Sequence, residues 1–314
     1  MILLKRLALT VGLSLASEGA IAQQAHTESW WTSKYGEADT LGAVNNLSPE
    51  GVKRAAKLIK TGKTYALGIP TGPETPAFGA RTYTVERVPS GGADFTPDGS
   101  QRVTAFDEKV TTSMGIGTQI DGLAHLGVDH HYYNGITGAD VAKSYKLDLA
   151  SIPPIVTRGV LIDMTKHFKK PMLELGDNFN RTEIAAAMKA QKIKINKGDV
   201  VIFHTGWMAM ATKDRDLFRS QQPGIGVDGA QYLADMGVVA VGADTVALEA
   251  IPFEDPAKAF IVHQTLLAKN GVHILEALNT APLAADGVKE FLFVLGAPRM
   301  QGTVQMVINP VAIR

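Results

Sequence analysis

Apolar residues occur along the chain in short continuous runs separated by polar and Gly/Pro-rich segments, a pattern that predicts many short strands. Runs at Gly159–Asp163, Asp199–His204 and Val238–Ala243 are typical of strands buried on both faces of a sheet. We expect further strands at Thr64–Ile69, Arg81–Val88, Arg102–Ala105, Lys109–Ser113, Phe291–Leu295 and Thr303–Ile308. Helical patterns alternate with these strands without a strict order, which predicts one α/β domain with a mixed, partly barrel-like sheet and surrounding helices.

The helices are predicted from apolar spacing and end signals. Ser48 can cap a helix that has Pro49 in its first turn and ends at Gly62. Similar patterns predict helices at Thr182–Gln191, Asp228–Met236 and 260–269. The loops at 70–80 and 89–100 are long and rich in Pro and Gly, and they could cover a functional site as a lid.

The amino terminus has the pattern of a secretory signal peptide. Lys5 and Arg6 precede an apolar run, and Ala20-Ile21-Ala22 supplies the small residues of a cleavage site. We therefore expect residues 1–22 to be removed, leaving residues 23–314 as a periplasmic or secreted domain that is not held in the membrane. The alternative is an apolar helix retained in the fold.

Composition narrows the possible functions. The 314 residues include 31 basic and 31 acidic side chains and no cysteine. Zero net charge gives no basic surface for nucleic acid, and disulfides do not stabilise the fold. There is also no Gly-x-Ser-x-Gly sequence of a serine hydrolase. Gly224–Gly229 has dinucleotide-site spacing, but a polar segment precedes it where that site needs a strand.

The most informative stretch is the Gly-rich segment from Gly115 to Gly135. Gln119 and Asp121 are two residues apart and would point the same way from a strand. A following turn would bring His125 back over Asp121. An amide oxygen, a carboxylate and an imidazole suit Zn²⁺ or Mn²⁺. The alternative is a polar surface turn with no ligand.

This segment resembles the signature of the cyclase-type metal-dependent hydrolases, which include bacterial kynurenine formamidase and isatin hydrolase. Their motif reads His-x-Gly-Thr-His-x-Asp-x-x-x-His, and Gly117-Thr118, Asp121 and His125 match it. Gly115 and Gln119 stand where the motif has histidines. One branch of the family has Thr-Gln-x-Asp-x-Leu-x-His followed by Tyr-Asn-Gly, and this chain matches that version.

The resemblance implies the same fold and a wider set of site residues. It adds His263 and Glu276 to Gln119, Asp121 and His125 as ligands of one divalent ion, Zn²⁺ or Mn²⁺. His125 and Glu276 are the expected catalytic residues, although each could serve as a ligand instead. Substrate contacts are expected from Tyr133, His204 and Trp207. His204 could equally be a core histidine, and His263 and Glu276, taken singly, could be ordinary surface residues.

Two functions follow from these residues. The first is hydrolysis of a small carbonyl substrate, an amide, formamide or lactone that is often cyclic. Kynurenine formamidase activity is the less attractive choice, since this chain carries an export signal and lacks two motif histidines. The second is a non-catalytic periplasmic binding protein on the same fold. In either case we expect a homo-oligomer.

Overall fold

The computed structural model describes residues 29–89, 100 and 102–314. Its strands are β1 (Thr64–Ala66), β2 (Tyr83–Pro89), β3 (Phe106–Thr112), β4 (Gln119–Asp121), β5 (Ile155–Asp163), β6 (Val200–His204), β7 (Ala240–Ala243), β8 (His273–Glu276), β9 (Glu290–Leu295), β10 (Gln305–Val307) and β11 (Val311–Ile313). Its α-helices are α1 (Pro49–Ala56), α2 (Gly138–Lys143), α3 (Met164–Phe168), α4 (Arg181–Gln191), α5 (Met210–Lys213), α6 (Arg215–Ser220), α7 (Val227–Asp235), α8 (Ile261–His263) and α9 (Ala281–Ala285). Short 3₁₀ turns lie at Gly42–Asn46, Tyr133–Gly135, Leu149–Ser151 and Trp207–Ala209, and a π-helix spans Gln264–Lys269.

Nine strands form one curled sheet in the order β1-β11-β9-β5-β6-β7-β8-β4-β10. Strands β5 to β8 are parallel, and the outer strands join them in antiparallel pairs. The parallel strands are the continuous apolar runs of the sequence, because both of their faces are covered. The predicted α/β domain with a mixed, partly barrel-like sheet and surrounding helices is confirmed.

Each face of the sheet carries its own core. On one face, Val160, Val201 and Ile274 pack with residues of α4, α7 and the π-helix. On the other face, Leu161 and Ile202 pack with Leu283 of α9 and residues of the outer strands. The carboxyl ends of β5 to β8 meet along one edge, where ligands bind in open α/β sheets.

Several predicted boundaries differ from the structure. Helix α1 ends at Ala56 rather than Gly62, since Ile59 is exposed and has no core to pack against. The predicted strand at Arg102–Ala105 is wrong, because Arg102 has a φ of 52° and the strand begins at Phe106. The helix predicted at 260–269 is present, but it begins at Ile261 after a left-handed Phe260.

Two predictions fall wholly or partly outside the described residues. The proposed signal peptide, residues 1–22, is one of them, and most of the loop at 89–100 is the other. Across the described residues, no helix has the length and hydrophobicity needed to cross a membrane.

Candidate metal centre

Pairing of β4 with β8 brings together side chains that are far apart in sequence. Gln119 lies opposite Glu276, and Asp121 lies opposite Ile274. Gln119, Asp121 and Glu276 therefore project from the same face of the sheet, as the alternation of strand residues requires. The Thr118 hydroxyl donates a 2.6 Å hydrogen bond to the Ala277 carbonyl and holds the two strands together beside the site.

His263 reaches this group from α8. Its Nε2 lies 3.1 Å from Glu276 Oε1 and 3.6 Å from Asp121 Oδ2. The side chains of Asp121, His263 and Glu276 are at most 3% exposed. One ligand atom from each of these three residues lies within 4.8 Å of the others, which is close enough for all three to bind a single ion.

One atom of the cluster supports metal binding directly. Asp121 Oδ2 is buried and has no hydrogen-bond partner among the residues that the structure describes. A buried carboxylate oxygen without a partner is costly, and a cation would compensate it. Two carboxylates and an imidazole form a donor set that suits Zn²⁺ or Mn²⁺. The residues present therefore fit a divalent metal ion.

The pKa values of the clustered side chains depend on how close these groups lie to one another and on their burial. Burial alone would lower the pKa of His263, but hydrogen bonds to Glu249 and Glu276 outweigh it and raise the pKa to about 10. Burial, together with the charge of Asp121, raises the pKa of Glu276 to about 7. The metal-free site thus holds protons that a bound cation displaces.

Gln119 takes part in the cluster in a way that the sequence did not predict. Its amide nitrogen lies 2.5 Å from Glu276 Oε2 and 3.5 Å from Asp121 Oδ1. In this arrangement Gln119 is a hydrogen-bond donor to the carboxylates. Ligation through the amide oxygen would require the amide to turn over, so the predicted role of Gln119 as a ligand stays a prediction.

His125 returns to the cluster through a tight turn after β4, as its spacing predicted. The His125 amide donates to the Gly122 carbonyl at 2.9 Å, and its Nε2 lies 3.8 Å from Asp121 Oδ2. Its side chain is 20% exposed, whereas that of Asp121 is fully buried. Burial lowers the pKa of His125, so its imidazole is neutral at neutral pH. His125 is therefore placed between the buried cluster and solvent.

Glu249 was missed by the sequence analysis and supports His263 from behind. Its Oε1 accepts hydrogen bonds from His263 Nδ1 at 2.5 Å and from the His263 amide at 3.1 Å. Glu249 is buried, and its backbone forms an isolated parallel β-bridge with Ile225. A carboxylate on the far nitrogen of an imidazole fixes which ring nitrogen faces a metal and makes it more basic.

Replacement of Glu249 by glutamine is expected to weaken metal affinity by about 10- to 100-fold, because the amide cannot supply the charge behind His263. Titration calorimetry with Zn²⁺ or Mn²⁺ measures this change. Glu86→Gln, an exposed carboxylate of β2, is the control and should bind metal normally. Equal affinity of the Glu249 variant and the wild type would show that this carboxylate does not support a metal ligand.

Gln305 is a second missed residue, and it approaches Asp121 from the other side. Strand β10 pairs with β4 so that Gln305 lies opposite Asp121, and its amide nitrogen donates a 2.8 Å hydrogen bond to Asp121 Oδ1. A Cβ on Gly115 would lie 2.5 Å from Gln305 Oε1. The space beside Gly115, where the family motif has its first histidine, is thus filled by Gln305.

The contacts of Tyr133 do not match its predicted role in substrate binding. The side chain is buried, and its hydroxyl donates to Asp39 Oδ2 at 2.6 Å and lies 2.7 Å from Ser33 Oγ. Burial raises the pKa of Tyr133, and the hydrogen bond to Asp39 raises it further. Tyr133 joins the amino-terminal segment to the rest of the domain through these hydrogen bonds, and its role in substrate binding stays a prediction.

Tyr133→Phe is expected to destabilise the fold by roughly 1.5–3 kcal/mol, the usual worth of a hydrogen bond to a charged group, without changing metal affinity or turnover. Burial of Asp39 acts to raise its pKa, but its hydrogen bonds, the one from Tyr133 among them, outweigh this and lower the pKa in the folded protein. The stabilisation by this hydrogen bond is therefore fully present above the pKa that Asp39 has in the unfolded chain, and it is lost as the pH falls through the pKa of Asp39 in the folded protein. Urea unfolding at neutral and acid pH measures it, with the exposed Tyr145→Phe as control. A raised KM at unchanged stability would restore the substrate role.

The structure does not bring His204 into the cluster. Ile202 pairs with Gly242, which pairs with Leu275, so Ile202 and Leu275 project from the same face of the sheet. His204 is two residues after Ile202 and shares that face, whereas Glu276 is one residue after Leu275 and projects from the opposite face. Its Nδ1 lies 2.7 Å from Thr280 Oγ1 and 3.3 Å from Asp244 Oδ2. Burial would lower the pKa of His204, but Asp244 outweighs it and raises the pKa. These are the contacts of a core histidine, the alternative that the sequence left open.

Trp207 remains a candidate for substrate contact. It packs in an apolar cluster with Phe218 and Val246, against which Phe78 also packs. Its indole nitrogen is buried and has no hydrogen-bond partner in the described part of the chain. Phe78 in turn contacts Phe260 at 5.8 Å between ring centroids, and Phe260 contacts His263 at 5.4 Å. Aromatic side chains therefore form one wall beside the cluster.

Comparison with known proteins identifies the family. The model of the Cyclase family matches residues 65–250, more than half of the chain. The chain belongs to the cyclase family. The chain is similar over 90% of its length to the crystal structure of a novel cyclase, 99% of which is covered, with 29% identity and a TM-score of 0.81. No curated protein gives a significant match to it.

Two structures of lower sequence identity share the fold of this chain. One is a potential metal-dependent hydrolase with cyclase activity, at 19% identity and a TM-score of 0.54, covering 80% of this chain and 98% of the other. The other is isatin hydrolase A from Ralstonia solanacearum, at 16% identity and a TM-score of 0.61, covering 80% and 92%. The suspected family, inferred from Thr118-Gln119, Asp121 and His125, is confirmed.

Proposed function

We propose that this protein is a metal-dependent hydrolase of small, often cyclic, amides, formamides or lactones. The observation that carries the proposal is the convergence of Asp121, His263 and Glu276 at a buried carboxylate oxygen that accepts no hydrogen bond within the described part of the chain. Membership of the cyclase family supports it, as does the shared fold with an isatin hydrolase and a metal-dependent hydrolase.

Each residue of the cluster has a separate task in this proposal. Asp121, His263 and Glu276 would hold one ion, Zn²⁺ or Mn²⁺. When bound, such an ion polarises a carbonyl and lowers the pKa of water from ~15.7 towards ~7. Glu249 keeps the proton on Nδ1 of His263, so that Nε2 faces the centre. His125 accepts the proton of the attacking water at Nε2, because it is the neutral, partly exposed base beside the cluster.

The surroundings of the cluster fit a flat substrate that becomes an anion. The half-buried rings of Phe78 and Phe253 both contact Phe260, which in turn contacts His263, and these rings could pack against a planar ring of a substrate. Hydrolysis of a cyclic amide or lactone leaves a carboxylate. Arg81 lies near enough that its charge adds to burial in lowering the pKa of His125, and it forms no ion pair with another described residue.

The proposal is tested by assaying the purified protein on formamides, cyclic imides and lactones, before and after a chelator. Turnover that disappears with the metal and returns with Zn²⁺ or Mn²⁺ supports it. Turnover that survives complete removal of metal would exclude this mechanism. Binding of these compounds without turnover, in protein shown to contain metal, would favour a binding protein on the same fold.

A further inference from the structure

Each of the three clustered ligand residues directs one polar atom at the other two and has its second polar atom engaged elsewhere. The atoms that face one another are Asp121 Oδ2, Glu276 Oε1 and His263 Nε2. The second nitrogen of His263 lies against Glu249. The second oxygen of each carboxylate accepts a hydrogen bond from a glutamine side chain. These two glutamines therefore affect how the carboxylates can bind an ion.

Gln305 engages the second oxygen of Asp121. Its amide nitrogen donates to Asp121 Oδ1 at 2.8 Å. The backbone around Gln305 is fixed, because the Gly122 amide donates to the carbonyl of Val304 at 2.8 Å. The end of the side chain lies against Gly115, where a Cβ would come within 2.5 Å of it. Gln305 thus leaves Oδ2 as the oxygen of Asp121 that is available to an ion.

Gln119 does the same for Glu276. The two residues lie directly opposite each other on β4 and β8, and the Gln119 amide nitrogen is 2.5 Å from Glu276 Oε2. Gln119 is only 2% exposed, so this contact is shielded from solvent. An ionised carboxylate and an amide oxygen are both acceptors, so the nitrogen is the end of the amide that faces Oε2 once Glu276 is ionised. Oε1 is then the oxygen of Glu276 that remains towards His263.

One atom from each of three residues suits an ion with few ligands. His263 Nε2 lies 3.1 Å from Glu276 Oε1 and 3.6 Å from Asp121 Oδ2. Ligands of a tetrahedral zinc ion with bonds of about 2.0–2.1 Å are separated by roughly 3.3 Å, which lies between these two distances. Catalytic zinc sites use three protein ligands and keep the fourth position open. Octahedral Mn²⁺ needs more oxygen ligands, which carboxylates could supply by binding through both oxygens.

We propose that Gln305 and Gln119 are positioning residues that restrict each carboxylate to one ligand atom, so that the centre takes a four-coordinate ion and favours Zn²⁺ over Mn²⁺. This inference rests on the proposed metal-dependent function and assigns the ion that the centre selects. It gives Gln119 a task as a hydrogen-bond donor in place of ligation.

The test uses Co²⁺ added to the metal-free full chain, because four-coordinate Co²⁺ absorbs visible light far more strongly than six-coordinate Co²⁺. The wild type should bind Co²⁺ and show the strong absorption. Gln305→Met and Gln119→Met remove the N–H donors and keep an unbranched side chain. Each should lower the absorption per bound ion severalfold, as the released oxygen joins the ion. Gln301→Met, at an exposed glutamine, is the matched control and should keep the wild-type spectrum.

Calorimetry with Zn²⁺ and with Mn²⁺ gives a second measurement. Each of the two variants should bind Zn²⁺ about 10- to 100-fold more weakly, as expected when a residue that supports a ligand is lost. Their affinity for Mn²⁺ should fall less. An equal loss for both ions would indicate a merely structural role and overturn the proposal. An unchanged Co²⁺ spectrum in either variant would also overturn it, as would complete loss of metal binding in Gln119→Met, the result expected for a ligand.

The wild-type spectrum decides the proposal even if a variant does not fold, which far-UV circular dichroism would detect. Weak, six-coordinate absorption from Co²⁺ bound to the wild type would overturn the proposal and leave metal-dependent hydrolysis intact. A wild type that binds none of the three ions would overturn the proposed function together with this inference. None of these readouts depends on turnover.

Discussion

Asp121→Asn is expected to abolish metal binding and to reduce the rate of hydrolysis strongly. Loss of a residue that only supports a metal ligand costs ~10- to 100-fold, and loss of the ligand Asp121 should cost far more. Asp121 contributes the buried carboxylate oxygen that accepts no hydrogen bond from any described residue, and the side chain lies next to both His263 and Gln305. Asparagine has nearly the same shape, so the change removes charge and leaves the packing in place. The variant should fold and contain no bound metal.

The measurement combines metal analysis with thermal unfolding. A ligand that binds only the folded state stabilises that state by about 2.7 kcal/mol when the free ligand concentration is one hundred times the dissociation constant. Zn²⁺ or Mn²⁺ should therefore stabilise the wild type, and the exposed control Asp107→Asn, but not Asp121→Asn. A fully metal-loaded, active Asp121 variant would show that the ion, if present, binds elsewhere.

His125→Gln is expected to lower kcat by about 10²- to 10⁴-fold while metal affinity is kept. His125 is the partly exposed neighbour of the buried cluster, and its Nε2 is 3.8 Å from Asp121 Oδ2. Glutamine retains a polar side chain but cannot take up a proton near neutral pH. The variant therefore separates the two roles that the sequence left open for this residue, proton transfer and metal ligation.

The two roles give different results in one experiment. Metal affinity by calorimetry and kcat by steady-state assay are measured on the same preparation, with His167→Gln on α3 as the control. If metal affinity falls along with kcat, His125 is a ligand. If neither changes, another group transfers the proton.

The part of the site that could be predicted from the sequence is the part encoded locally. Gln119, Asp121 and His125 lie within seven residues, and the strand-to-turn geometry follows from their spacing. His263 and Glu276 entered through the family resemblance alone. What brings them to Asp121 is the pairing of β4 with β8, a contact across more than 150 residues that short-range patterns do not record.

The missed residues show the same limit. Glu249 lies in a segment with no helix or strand pattern, and its position depends on a bridge to Ile225. Gln305 faces Asp121 only because β10 pairs antiparallel with β4 in one register. For the fold, the apolar runs located β5, β6 and β7 well, because burial on both faces leaves a strong composition signal. The two alternatives for His204 stayed open at the sequence level because sequence alone does not tell which face of a sheet a strand's last residue occupies.

The contact between Gly115 and Gln305 constrains how this centre can be redesigned. Installing an imidazole at position 115 to build a dinuclear enzyme would force a side chain into volume already taken by the Gln305 amide, and the lone substitution would push against the group that steadies Asp121. The two positions form one engineering unit. A histidine at 115 has to displace the end of the Gln305 side chain, so adding that imidazole also withdraws the hydrogen bond that Gln305 donates to Asp121 Oδ1.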